Sequence, residues 1–584
     1  MESTSRRRPT DSQLTMVELT AVDNPDEHIN NPGEDVDHVR VDLQSKVSRP
    51  LVSLHLHVRK PNASDQCITN HGAHCFTWSQ WILIVFTILS STFLFALDNT
   101  IVADVQSPIV QRFGEAGKLA WLGVAFVLSG SATIITWGKL YSIFSAKWLY
   151  VSSVLLFEGG SALCGAAVNM DMFIVGRTIA GLGGGGMYLG CLNLLSLTTS
   201  VRQRPQYIAL TGITWGSGTV LGPVVGGAFA QSTATWRWAF YINLCIGLPF
   251  VLVYIFLLPR CDPQPEVSTK EKLLQIDYLG AILNIAMLTC LIMGINFGGV
   301  IFDWMGGSFG LLFGGLMLLI LFMMQQLDAC GTTSNERIFP CHLLNWWMFT
   351  LFLLMSAAAT CVFVPTYYIP LHFQFVHGVS PLTAAVGLLP FIILMVTFGF
   401  LNGAMMSKLG YYMPWYLAGG ILTTVGGALM TTINENSLNA QVYGYSALIG
   451  IGAGCFIQAG FSVAQAKVHP SEEADATSLM SLAQNLGITF SLAISGAVFR
   501  SQAIDNLQKI LPDLSKDELR GAITGNDSGV ITHLDDDTRA KLIHAIVKAM
   551  SHTYFLVVSA GVMAVIGSAY LKRERIFIKA AGAA

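Results

Sequence analysis

The sequence has little charge. Of 584 residues, 33 are Lys or Arg and 36 are Asp or Glu, so 12% are charged against about 25% in an ordinary soluble domain, while 52% are hydrophobic. That balance excludes a water-soluble globular protein of this length. The formal net charge of −3 says nothing about partners when most of the surface faces lipid, and no nucleic-acid partner is expected. There is no G-x-x-x-x-G-K-[ST] and no H-E-x-x-H, which removes P-loop nucleotide hydrolysis and zinc-peptidase chemistry. The Gly183–Gly186 run lies inside an apolar stretch with no Gly-Lys-Ser/Thr after it, and so reads as close helix packing rather than a phosphate cradle. No enzymatic activity, cofactor or metal is expected. Six of the eleven cysteines (Cys164, Cys191, Cys245, Cys290, Cys361 and Cys455) fall in apolar runs, and no disulfide framework is implied.

What is present is a series of apolar runs of about 20 residues, each long enough to cross a bilayer. We count fourteen: 80–103, 117–137, 148–168, 171–193, 206–230, 238–258, 275–297, 305–325, 346–367, 382–407, 411–432, 441–465, 477–499 and 551–571. With the N-terminus inside, the short cytoplasmic loops hold ten basic residues, among them Lys139, Lys147, Arg202, Arg204 and Lys467. The short outer loops hold three, Arg112, Lys118 and Arg237. This asymmetry places both termini in the cytoplasm. Residues 1–79 are polar and read as a disordered tail. Arg6-Arg7-Arg8 has no apolar segment behind it and is not a cleaved signal peptide. His55, His57, Cys67, His71, His74 and Cys75 fit no standard zinc spacing. The outer connection 500–550 is long. Ser515 and Glu518 have capping-box spacing, and Leu542, Ile543, Ile546 and Val547 have helical spacing, which predicts amphipathic helices over the outer mouth. Asn526-Asp527-Ser528 is a glycosylation sequon on that side.

Charged groups at membrane depth cost several kcal/mol and so face a cavity or a partner. Three stand out: Asp98 in span 1, Glu158 in span 3 and Arg177 in span 4. Two readings of Asp98 and Arg177 are open, a proton-loading carboxylate tuned by a cation or a static ion pair fastening spans 1 and 4. Glu158 either joins the coupling or hydrogen-bonds a neighbouring backbone. In span 5, GITWGSGTVLGPVVGG places Gly218, Gly222 and Gly226 at every fourth residue, a smooth face for close helix approach, and Pro223 predicts a bend.

These residues resemble the major facilitator superfamily, and within it the fourteen-span drug:proton antiporters of the fungal toxin-efflux type, over roughly 80–571. Asp98 in Leu97-Asp98-Asn99-Thr100-Ile101-Val102 matches the span-1 signature. Arg177, Gly181 and Gly183 match the span-4 R-x-x-x-G-x-G motif, and Gly212, Gly216, Gly222, Pro223, Gly226 and Gly227 match the span-5 antiporter motif. Trp236-Arg237-Trp238 with Phe240-Tyr241-Ile242-Asn243, and Pro370-Leu371-His372-Phe373-Gln374, resemble the toxin-efflux branch. One departure concerns the family's loop 2–3 latch, G-x-L-x-D-R-x-G-R-[RK]. Gly138, Leu140 and Lys147 remain, but Ser142 replaces the acid, Ile143 the first basic residue, Ser145 the glycine and Ala146 the arginine. Its pseudo-repeat at Gly403–Gly410 keeps Ser407, Lys408 and Gly410 and also lacks an acid.

The resemblance implies an all-α integral membrane protein with the major facilitator fold, two six-helix bundles plus two inserted central spans. Its divisions are a tail 1–79, a bundle 80–258, linkers and inserted spans 259–345, a bundle 346–571 and a tail 572–584. The central cavity it implies is largely apolar; Trp215, Gln374 (beyond span 9), Gln484 and Asn485 are its polar candidates, the last two alternatively serving helix–helix hydrogen bonds. The implied function is proton-coupled export of an amphiphilic organic molecule by a monomer, in the plasma membrane rather than the vacuolar membrane. A proton-coupled siderophore importer and a ligand sensor without transport are the alternatives.

Overall fold

The computed structural model describes residues 78–576 apart from 116–117, 120, 299–305, 334–335 and 513–535. The expectations for the tail before residue 78 with its His and Cys residues, for Ser515 and Glu518, for the Asn526 sequon and for residues 577–584 lie outside the described residues.

Hydrocarbon offers no partner for backbone N–H and C=O groups, so apolar runs of this length become helices that satisfy themselves internally. The chain forms α1 (Trp78–Phe113), α2 (Trp121–Ile143), α3 (Ala146–Ala166), α4 (Met170–Thr198), α5 (Arg204–Gln231) and α6 (Trp238–Phe256). After a linker come α7 (Tyr278–Phe297) and α8 (Gly307–Asp328), followed by α9 (Trp346–His377), α10 (Leu389–Leu409), α11 (Met413–Met430), α12 (Asn439–Gly454) and α13 (Ala459–Lys467). The described part ends with α14 (Glu473–Ile510), α15 (Asp536–Thr553) and α16 (Phe555–Tyr570). By length and apolarity 13 of the described helices qualify to cross a membrane. The remaining expected span, 411–432, is α11, an 18-residue helix.

Helices α1 to α6 pack on one another, chiefly α3 on α4, α1 on α5 and α2 on α4. Helices α9 to α16 do the same through α9 with α14, α11 with α16 and α10 with α12. The two sets meet where α5 touches α10 and where α2 touches α14. The inserted pair α7–α8 leans on α2 through α7. Only 17% of the apolar window of α8 is buried, against 83% for α4, so α8 stands at the lipid-facing edge and α4 in the interior.

Several boundaries differ from the sequence reading. The span expected at 441–465 is broken, α12 stopping at Gly454 and α13 resuming at Ala459, with Gln458 in the turn between them. The span expected at 477–499 is a 38-residue helix. At about 1.5 Å per residue that is roughly 57 Å, well beyond a hydrocarbon core of about 30 Å. Residues 500–510, expected in an outer connection, therefore belong to α14. The expected amphipathic helix is present as α15, docked against α14 and α9 with Leu542, Ile546 and Val547 buried. It runs into α16 through the single residue Tyr554. The loop 2–3 motif is also mostly helix, since Gly138, Leu140, Ser142 and Ile143 end α2 and Lys147 opens α3.

Helix α5 continues through Pro223. Its glycines serve two different neighbours. A methyl group added at Gly218 would lie 2.7 Å from Ala96 Cβ and 2.9 Å from Phe93 O of α1, and one at Gly222 would strike Thr100. Gly212 instead faces Gln458, and a methyl at Gly216 would lie 2.8 Å from Val396 Cγ2 of α10. Gly226 is buried, and Gly227 opens onto free space. Overpacking of a tight helix contact costs about 1–3 kcal/mol. Gly218→Val should therefore lower the thermal unfolding temperature of the purified protein, whereas Gly227→Val should leave it unchanged; equal melting of the two variants would contradict the close α1–α5 contact.

Candidate functional site

Five helices of the N-terminal half bring polar groups together in an otherwise apolar interior. Asp98 of α1 and Arg177 of α4 form an ion pair through Oδ2 and Nη1, at 0% and 1% side-chain exposure. Arg177 Nε also donates to Leu122 O of α2 at 3.1 Å, and its guanidinium lies 4.2 Å from the centre of the Phe126 ring. The other Asp98 oxygen accepts from Asn243 Nδ2 of α6 at 2.9 Å, and that amide nitrogen also reaches Ser161 Oγ of α3 at 3.2 Å. A buried pair of charges is tolerable only when its remaining lone pairs and protons find partners, which is what Leu122, Phe126 and Asn243 supply.

Glu158, one helical turn before Ser161, is buried beside Gly247 of α6, and neither carboxylate oxygen has a hydrogen-bond partner. The backbone hydrogen bond considered for it is not made. A carboxylate in this position is costly as an ion and far less so as a neutral acid.

The same stretch of α1 borders the interface between the halves. Phe95, three residues before Asp98, stacks near Tyr188 at 5.9 Å and meets Trp215 at 5.3 Å between ring centres. Tyr188 also meets Trp215 at 5.6 Å and Phe461 of α13 at 6.4 Å, and its hydroxyl donates to Gln484 Oε1 of α14 at 3.1 Å. Gln458 is buried with its Oε1 unpartnered. Of the four candidates from the sequence, Trp215 and Gln484 are brought together here through Tyr188, and Asn485 is the half-buried next residue on α14. Gln374 is not beyond span 9: α9 runs to His377, so Gln374 sits in its last turn beside Phe373, which packs on Tyr443 of α12.

At the end of the molecule that carries the eroded latch, other contacts join the halves. Arg204 at the start of α5 donates through Nη1 to Glu473 Oε1 at the start of α14 at 2.6 Å, and through Nε to Ser196 O at 3.1 Å. The pair is buried, at 4% and 11% side-chain exposure. Gly138 of α2 abuts Ser478 of α14, and a methyl on Gly403 of α10 would lie 2.6 Å from Ala209 Cβ of α5. Lys147 is drawn inward and donates to Leu258 O at 3.0 Å. Ser142 stands where an acid is expected. It lines a cavity that already contains Asp262, Glu336, Glu473 and Asp475, so an added carboxylate there would face like charge.

Sequence reasoning named Asn243 and Arg204 without giving either a role in the site, and missed Tyr188, Gln458, Phe461 and Glu473. Asn243 and Gln458 carried a signal, being amides in apolar runs. Arg204 was visible only as one of the loop cations, and nothing local marked Glu473 as its partner.

Comparison with known proteins agrees with this architecture. Residues 88–492 match the model of the Major Facilitator Superfamily. The chain is 46% identical over 501 residues to the MFS-type transporter pgmG of Aspergillus terreus, covering 85% of this chain and 90% of the relative. It is 44% identical over 510 residues to the efflux pump alnA of Emericella nidulans, covering 86% and 92%. Among solved structures, the proton:xylose symporter XylE superposes with a TM-score of 0.55 at 12% identity, covering 84% of this chain and 95% of that one. The human organic anion transporter MFSD10 superposes at 0.52 and 11% identity, covering 82% and 99%. The chain belongs to the Major Facilitator Superfamily: it is a multi-pass membrane transporter with that superfamily's fold and not an enzyme.

Removing one partner of a buried ion pair costs about 3–5 kcal/mol, while replacing both by apolar residues is often close to neutral. Arg204→Met and Glu473→Leu should each lower the unfolding temperature, and the double variant Arg204→Met/Glu473→Leu should recover most of the loss. Additive losses in the double variant would show that the two side chains do not act as a pair.

Proposed function

We propose that the protein is a proton-coupled exporter of amphiphilic organic molecules, such as a fungal toxin or other secondary metabolite. The observation that carries this reading is the double duty of one short segment of α1. Residues 93–101 present Phe95 to the aromatic cluster between the halves, Asp98 to Arg177 and Asn243, and Ala96 and Thr100 to the α5 glycines. A proton arriving on Asp98 removes the charge that holds Arg177. Any shift of α1 that follows is felt at once by α5 and by the aromatic wall. Glu158, unpartnered and close by, is the second proton-accepting group of the site. The relatives named efflux pumps support the outward direction, and the aromatic lining with the Tyr188, Gln458 and Gln484 polar atoms suits a greasy solute that carries a few hydrogen-bonding groups.

In this reading the bundles are 80–258 and 346–571, both termini lie in the cytoplasm as the loop lysines and arginines favour, and the Arg204–Glu473 contact closes the cytoplasmic side. The protein works as a monomer in the plasma membrane, with Asn526 outside as the glycan acceptor.

The test is transport of a panel of hydrophobic toxins and siderophores in proteoliposomes with and without an imposed pH gradient. Asp98→Asn should reduce gradient-driven toxin export to the level of empty vesicles while the variant still folds and inserts. Export that survives a protonophore, or that persists undiminished in Asp98→Asn, would overturn proton coupling through this site. Siderophore uptake in place of toxin export would overturn the direction.

A further inference from the structure

A cavity of about 590 Å³ opens beside the Arg204–Glu473 contact, within the range of small-molecule sites. Its walls come from the end of α2 (Lys139, Ser142), from α4 (Asn193, Ser196), from the connections on either side of the inserted pair (Gln264, Glu336) and from the start of α14 (Glu473, Asp475). Both halves and the inserted segment therefore contribute to one chamber, which is separate from the aromatic cluster around Tyr188.

Two features mark the chamber as built for an occupant. Asn193 is only 4% exposed, yet neither its Oδ1 nor its Nδ2 has a hydrogen-bond partner, and Gln264 Oε1 is likewise buried without one. Each such group costs about 1–3 kcal/mol unless something else satisfies it. The second feature is charge. Glu473 is matched by Arg204 and Asp262 by Lys272 at 2.6 Å. Of the remaining charged lining residues two, Glu336 and Asp475, are acidic and one, Lys139, is basic, an excess of one acid at the lining. Asn193 Oδ1 and Gln264 Oε1 each lack a donor, and Asn193 Nδ2 lacks an acceptor.

We propose that this chamber is a second ligand site, selective for a small hydroxylated amine. The ammonium group answers the excess carboxylate, and the hydroxyls satisfy both atoms of the Asn193 amide. Anions are disfavoured by Glu336 and Asp475, and purely apolar solutes by the Asn193 and Gln264 groups, which they would leave unsatisfied. Because the walls belong to both halves, an occupant bridges them and favours the arrangement in which Arg204 and Glu473 are joined.

Three six-carbon polyhydroxy compounds, glucosamine, glucose and gluconate, separate the contributions as a cation, a neutral molecule and an anion. Thermal unfolding of the detergent-solubilised full-length protein should rise saturably with glucosamine, less with glucose and not with gluconate. Asn193→Leu should abolish both rises. Asp475→Asn should bring the glucosamine effect down to that of glucose, which keeps the test informative where Asn193→Leu does not fold. No saturable rise with glucosamine, an equal rise with gluconate, or a rise retained in both variants would overturn the proposal. The readout involves no transport, so failure here leaves the export reading standing, and failure of export leaves this site standing.

Discussion

The ion pair between Asp98 and Arg177 is the contact on which the N-terminal half turns. Two full charges in hydrocarbon are tolerable only in each other's company, and even then only with their leftover hydrogen-bonding capacity absorbed. The surrounding structure is arranged to do that, with a backbone carbonyl of α2, an aromatic face, and an amide from α6 that also touches α3. Four helices are thereby obliged to meet α1 at one depth. A pair so thoroughly supported fastens α1 to α4.

The α5 glycines connect this region to the other half by packing: Gly218 and Gly222 let α5 lie against α1, and Gly212 and Gly216 let it lie against the other half. Side chains at those positions would hold the helices apart and decouple them. The weak loop 2–3 motif then has a structural counterpart: the halves are joined at that end by Arg204 and Glu473, and by the Gly138–Ser478 approach, instead of by an acid at position 142.

Much of the architecture was legible in the chain because hydrocarbon is an unforgiving solvent. Each long apolar run had to become a helix, and the few charges inside such runs had to be functional or paired. Errors fell where that constraint relaxes. Helix α14 outruns the bilayer, α12 breaks from α13 at the Cys455–Gln458 turn, and Gln374 falls inside α9 because the helix continues past its apolar core.

Sequence alone therefore determined the kind of elements, the family, and the three buried charges worth watching, since these follow from composition measured against the cost of burying polar groups in oil. Only the tertiary structure decided who meets whom. That Asn243 holds Asp98, that Arg204 finds Glu473 269 residues away, and that Asn193 faces a chamber with nothing to bond are facts of helix juxtaposition. They are not local because hydrogen bonds and ion pairs act over a few ångströms of space, whereas the chain brings its partners there from distant positions.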